Sequence, residues 1–195
     1  MNMELTRWGI CCPGPSLYLR ATQQQINNDE VDYLVALNCA VFGSIKFDYW
    51  AMLDIEMFKT CSSKSLFLVR PDIVLWIPKR WITDIPRDYD PLKNFFNEFK
   101  RETFSYGLAS PFSVPIPNIT SWWNYSLFVA IAEAITRGAK IINIYGSDMC
   151  GTEYFRRGFK NGRTRHNEKR WAEESAIFNI IKYECKKHDI CIVRR

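Results

Sequence analysis

Residues 124–148, NYSLFVAIAEAITRGAKIINIYGSD, constrain the fold more tightly than any other stretch. Leu127, Phe128, Ile131, Ala134 and Ile135 recur at spacings of one, three and four, which predicts a helix with one continuous apolar face. Arg137 supplies charge at its C-terminal end and Gly138 a C′ stop. The apolar run 141–145 follows within a few residues, as expected of a strand buried on both faces. Gly146, Ser147 and Asp148 end it with small polar groups. A helix, a tight turn, a buried strand and a polar tip make one unit of an open parallel sheet. Such sheets bind ligands beyond the carboxyl ends of their strands. Residues just after 145 are therefore the first candidates for a site.

The rest of the chain supplies strands of the same kind. Residues 7–12 (RWGICC) read as a first strand, 31–37 as a second and 49–53 as a third, with further candidates at 65–69 and 73–77. Leu92, Phe95, Phe96 and Phe99 share a helical face, so residues 91–103 are expected to be helical. Residues 106–120 carry Gly107, Pro111, Pro115 and Pro117 and suit an irregular binding loop or lid. Trp122 and Trp123 follow it, placed either for core packing or for stacking on a ligand ring. Residues 167–187 predict an amphipathic helix with Trp171, Ile177, Phe178, Ile181 and Cys185 inward, and 189–193 a last strand. The sum is a single α/β domain over residues 1–195, Rossmann-like, with a central, mostly parallel sheet flanked by helices.

Candidate chemistry collects at the strand ends. Pro13, Gly14, Pro15 and Ser16 follow the first strand, either a plain structural turn or one able to turn backbone N–H groups toward an anion. Asn38 and Asp54 are each the first polar residue after an apolar run, suited to hydrogen bonding with a base or ribose or simply to capping strand ends. Ser126 opens the long helix, where its hydroxyl suits a cap or a phosphate. Asp148 suits a substrate hydroxyl or a cap. Charge is uneven on a chain of net +5: Arg156, Arg157, Lys160, Arg163, Arg165, Lys169 and Arg170 crowd one segment whose sole acid is Glu168. That density fits a solvated loop or a site for phosphate, nucleotide or nucleic acid. Residues 149–170 are expected to form a basic lid over such a site.

Seven cysteines without a CxxC pair indicate neither a zinc site nor a disulfide framework, and no metal site is expected. They fit a reducing, cytoplasmic setting. No signal peptide or membrane-spanning run is expected.

Taken together, GPSL (residues 14–17), LNCAVF (37–42), the polar tip at Asp54, the Ser126 helix, the Gly146-Ser147-Asp148 tip and a histidine ahead of the last helix resemble the bacterial CMP-sialic-acid-dependent sialyltransferases. They are also similar to the wider group around the archaeal 6-hydroxymethylpterin diphosphokinases, which includes unassigned phage and bacterial proteins. Both groups have Rossmann-like folds. The sialyltransferase resemblance implies nucleotide binding by Pro13, Gly14, Pro15, Ser16, Asn38, Asp54 and Ser126. It also implies a base at His166, aided by Asp148, and phosphate contacts at Tyr154 with Arg163 and Arg165. Three positions depart from that pattern: Pro13 and Asp54 stand where those enzymes have Asn, and Leu127 where they have Gly. The flanking cations disfavour an imidazolium at His166, leaving a neutral base. The implied function is a nucleotide-dependent transferase moving a sugar from a nucleotide-activated donor to a glycan, nucleic acid or small molecule. The alternatives are an ATP- and Mg²⁺-dependent pterin-type diphosphokinase, in which Asp54 and Asp148 would hold the metal, and a non-catalytic nucleotide- or nucleic-acid-binding protein.

Overall fold

The computed structural model describes residues 5–42, 45–52, 72–78, 99–103, 126–148 and 168–195. Seven parallel strands form one sheet in the order β5-β4-β3-β2-β1-β6-β7. They are β1 (Arg7–Cys11), β2 (Tyr33–Leu37), β3 (Tyr49–Ala51), β4 (Val74–Ile77), β5 (Arg101–Thr103), β6 (Ile141–Tyr145) and β7 (Cys191–Arg194). The chain builds outward from β1 to β5, then returns past β1 to add β6 and β7 on its other side. The four strands expected to be neighbours are neighbours: β3, β2, β1 and β6 pair in that order.

Among the described residues, three α-helices flank the sheet: α1 (Arg20–Asn28), α2 (Ser126–Thr136) and α3 (Glu168–Lys187). Strand alternation divides the core between the two faces. Trp8, Ile10 and Cys12 pack with Phe128, Ile131, Phe178, Ile181 and Cys185 of α2 and α3. Cys11, Leu34, Ala36 and Tyr145 pack with Leu17 and Ile26 on the side of α1. Helices on both faces explain why the central strands read as unbroken apolar runs. The α2–β6 unit has the form its sequence predicts. The N–H of Ala139 reaches the Ala134 carbonyl, that of Gly138 reaches Ile135, and Gly138 sits at φ +90, so the helix ends in a left-handed turn.

Two elements differ from the sequence reading. The helix expected over 91–103 does not reach its end: Arg101–Thr103 is β5, with Leu75, Trp76 and Ile77 beside it in register. Pairing with a buried neighbour strand outweighs the local helical spacing there. After β1 the chain first makes a 3₁₀ turn, Pro15–Tyr18, and extended backbone at Leu19 breaks it from α1. The sequence suggests a helix at Leu17-Tyr18-Leu19-Arg20; Leu17 and Tyr18 belong instead to the 3₁₀ turn, and α1 starts at Arg20 with Ile26 as its one buried residue. The strand candidate at 65–69 and the irregular segment 106–120 lie outside the described residues.

Beneath the carboxyl edge, a buried polar cluster ties the fold together. The Tyr145 hydroxyl donates to Asp29 Oδ2 at 2.6 Å, Gln25 donates to Asp29 Oδ1 at 2.7 Å, and Arg195 reaches both oxygens at 3.1 and 3.0 Å. Burial, and then the neighbouring carboxylate, raise the Tyr145 phenol above its ordinary range.

Candidate active site at the carboxyl edge

Between β1 and β6 the strand order reverses, and there the tips of the two strands interlock. The N–H of Cys12 donates to the Tyr145 carbonyl at 2.8 Å, continuing the ladder beyond β1. The N–H of Gly14 then donates to the Gly146 carbonyl at 3.0 Å, and the N–H of Ser16 to Asp148 Oδ2 at 3.0 Å. Gly14 has φ −68 and ψ 159, a conformation open to any residue, so glycine is needed there for space alone. A Cβ at Gly14 would fall inside contact distance of both Asp148 Oδ2 and the Gly146 carbonyl.

This geometry favours the structural alternative for residues 13–16. Residues 13–16 contain two prolines, which have no N–H, and the remaining two N–H groups are bonded to the β6 tip. The turn therefore has no spare backbone donor for a phosphate. Asp148 already fills the anion position at the start of the 3₁₀ turn. It joins the two strand tips by accepting from the Ser16 N–H in the turn before α1.

Asn38 lies one strand over, at the tip of β2. Its φ is +48, a left-handed conformation that Asn tolerates better than most residues, and this lets the chain turn from β2 into the 3₁₀ segment Asn38–Phe42. Its carbonyl accepts from Trp50 Nε1 at 2.7 Å, which anchors the turn to β3. Its side-chain Nδ2 approaches Ser126 Oγ at 3.4 Å, at the first residue of α2. Its Oδ1 is buried and has no hydrogen-bond partner among the described residues. Two residues 88 positions apart in the chain are thus brought together at the same edge. Tyr18, from the 3₁₀ turn, donates to the Ala40 carbonyl at 2.7 Å and ties the β1 and β2 tips to each other.

Cys12 is the last buried group below this edge. Burial pushes its thiol up to about 12; a hydrogen bond from Ser147 opposes the shift, and the charges of Glu174 and Asp148 add to it. It is a neutral thiol at physiological pH and is no nucleophile there. The sequence marks Ser147 only as the middle of the Gly146-Ser147-Asp148 tip, with no role of its own, and does not mark Glu174. Glu174 could have been found by continuing the inward stripe of α3 one step toward its N-terminus.

The structure thus brings Gly14, Ser16 and Asp148 into one hydrogen-bonded group and Asn38 and Ser126 into another, both at the carboxyl edge. Pro13 and Pro15 shape the turn between them. Asp54, Tyr154, Arg163, Arg165 and His166, with Trp122 and Trp123, lie outside the described residues. Among the described residues, no group of three or more His, Cys, Asp and Glu side chains is placed to hold a metal ion. No described helix is long and apolar enough to cross a membrane. The described cysteines are all free thiols, Cys11, Cys12, Cys39 and Cys185 buried and Cys191 exposed.

Comparison of the chain with protein-family models and with curated proteins finds no match.

Proposed function

We propose that the protein binds a nucleotide at the carboxyl edge, across the tips of β1, β2 and β6, and transfers a glycosyl group from a nucleotide-activated sugar. One observation carries this reading. The Asn38 carboxamide, held by a left-handed turn, meets Ser126 and keeps a buried acceptor oxygen with no partner among the described residues. A buried acceptor without a donor costs roughly 1–3 kcal/mol. A bound molecule that donates there, through a ribose hydroxyl or an amino group of a base, removes that cost. The location agrees with the general rule for open parallel sheets, whose ligands lie at the point where strand order reverses.

Because both N–H groups of the turn at residues 13–16 are already bonded, this reading gives the donor phosphates to the cations of the 149–170 segment. In this reading His166 takes the proton from the acceptor hydroxyl, and Tyr154, Arg163 and Arg165 steady the departing phosphate. Asp148 acts by locking the two strand tips together.

Thermal-shift measurements with CMP, UDP, GDP and ATP, each with and without Mg²⁺, test the binding step, since a ligand of the native state alone raises the melting temperature. One nucleotide is expected to stabilise the wild type, and Asn38→Ala is expected to reduce that shift while the apo protein stays folded. His166→Ala is expected to abolish most turnover while leaving nucleotide affinity intact. Stabilisation by ATP only with Mg²⁺ would favour a diphosphokinase. Salt-sensitive binding of DNA or RNA without any nucleotide effect would favour a nucleic-acid-binding role and sink the transferase reading.

A further inference from the structure

The core-facing stripe of α3 changes character along its length. Cys185, Ile181 and Phe178 are buried against the sheet at successive steps of four and three residues. The next positions on that stripe are Glu174 and Trp171, both half-buried. An acid on the buried face of a helix is not required for packing.

The level of Glu174 follows from the chain direction. α3 runs antiparallel to the strands, since it connects the carboxyl edge after β6 to the start of β7, where Cys191 pairs with Ile141. Glu174 is then roughly 20 Å above the C-terminal end of α3 at 1.5 Å per residue. Ser147 is also roughly 20 Å above Ile141 at 3.3 Å per residue. The stripe therefore turns acidic at the height of the Ser147-Asp148 tip. The electrostatics of Cys12 agree, because its thiol responds to Glu174 and Asp148 as well as to its burial. Trp8, Ile10 and Cys12 lie on the sheet face that α3 covers, so the helix presents this stripe to the same side as the strand tip.

We propose that Glu174 is a ligand-contacting, specificity-determining residue of the carboxyl-edge site, accepting hydrogen bonds from the hydroxyls of the sugar portion of a nucleotide-sugar. The proposal rests on the nucleotide reading above. The edge already carries one buried acceptor without a described donor, Asn38 Oδ1, and a half-buried carboxylate, Asp148. An acceptor-rich wall selects a donor-rich ligand, and a polyhydroxylated ring presents donors on several sides. Glu174 then reads the sugar, while Asn38 and Ser126 read the nucleoside.

The test compares wild type with Glu174→Gln and Glu174→Ala by calorimetric titration. The probes are the nucleotide that stabilises the wild type and commercially available sugar conjugates of that nucleotide. Both variants are expected to bind the bare nucleotide within about twofold of wild type and to bind the preferred conjugate at least tenfold more weakly. Glu174→Gln keeps the shape of the side chain, and comparing its apo melting temperature with that of wild type separates a folding defect from a binding defect. If both variants hold the conjugate as tightly as wild type does, Glu174 is not part of the site, although the nucleotide reading stands. Equal weakening of bare nucleotide and conjugate overturns the assignment to the sugar. A wild type that binds neither class of probe overturns the nucleotide reading and this inference with it.

Discussion

Replacing Gly14 with alanine tests the interlock of the β1 and β6 tips. Because φ at Gly14 is −68, alanine brings no backbone strain and restricts the unfolded chain, an effect that alone stabilises by about 0.4–1 kcal/mol. The new Cβ, however, approaches Asp148 Oδ2 and the Gly146 carbonyl more closely than the 3.0 Å that real Cβ atoms respect. Asp148 can rotate away, which forfeits its charge-assisted bond from the Ser16 N–H, worth about 1.5–3 kcal/mol. The Gly146 carbonyl is backbone and cannot rotate away, so the two tips must separate. That weakens the Gly14 to Gly146 bond, worth about 0.5–1.5 kcal/mol. Against the entropic gain, the net destabilisation is about 1–4 kcal/mol. Urea denaturation followed by tryptophan fluorescence measures it. In Asp148→Ala, adding Gly14→Ala is expected to cost clearly less than it does in wild type, since one of the two clashes is gone and the Ser16 bond is already lost. A Gly14→Ala protein as stable as wild type, or more stable by the entropic gain alone, would refute the close approach and with it the saturated turn.

Three further expectations follow from groups away from the tips. Tyr145→Phe removes the 2.6 Å bond to the buried Asp29 carboxylate and is expected to cost about 2 kcal/mol in chemical denaturation; Gln25 and Arg195 remain on Asp29, so a loss well above about 4 kcal/mol would contradict the cluster described. Burial opposes the ionised form of Glu102, but its bonds from Arg137 and Lys100 prevail and hold its carboxyl below the usual 4.5. A depressed carboxyl contributes stability that is complete above 4.5 and is lost as pH falls below it, so Glu102→Gln is expected to be less stable than wild type at neutral pH and to converge with it in acid; parallel pH profiles would rule the pair out as a stabilising contact. Burial pushes Cys12 and Cys185 up to about 12, whereas Cys191 is exposed, so alkylation at pH 8 mapped by mass spectrometry is expected to label Cys191 first and the other two only on unfolding.

The fold was legible where local pattern and tertiary environment agree. In α2 and β6 the apolar period, the Gly138 stop and the polar tip all point one way, and each is found where the sequence places it. Pattern failed where a distant partner decides. The strand at Arg101–Thr103 is fixed by β4 beside it, not by the aromatic residues that precede it. The sequence suggests a helix at residues 17–20, but the polar sequence of α1 buries a single Ile, so its bounds had no period to fix them. At the site, the sequence gathered residues 13–16, Asn38, Ser126 and Asp148, and the structure brings them to one edge. Their roles were less legible. That Asp148 takes the Ser16 N–H across 132 residues of chain is a long-range pairing with no local mark. The choice of Asn at position 38 answers first to a left-handed backbone, and only the buried Oδ1, without a hydrogen-bond partner among the described residues, suggests more.

The pairing of β1 with β6 has a consequence for biogenesis. Its partners, from Arg7 with Ile141 to Cys11 with Tyr145, are made by early and late parts of the same chain. Non-local contacts of this span close last because the loop between them must be ordered first. During synthesis, β1 leaves the ribosome long before β6, and one edge of β1 waits without its partner strand. The turn after β1 likewise waits for the carbonyl of Gly146 and the carboxylate of Asp148. The carboxyl edge thus forms only when the late segment arrives, so a nascent chain that stops short of residue 141 should carry no competent site, however much of β1 to β5 has already paired.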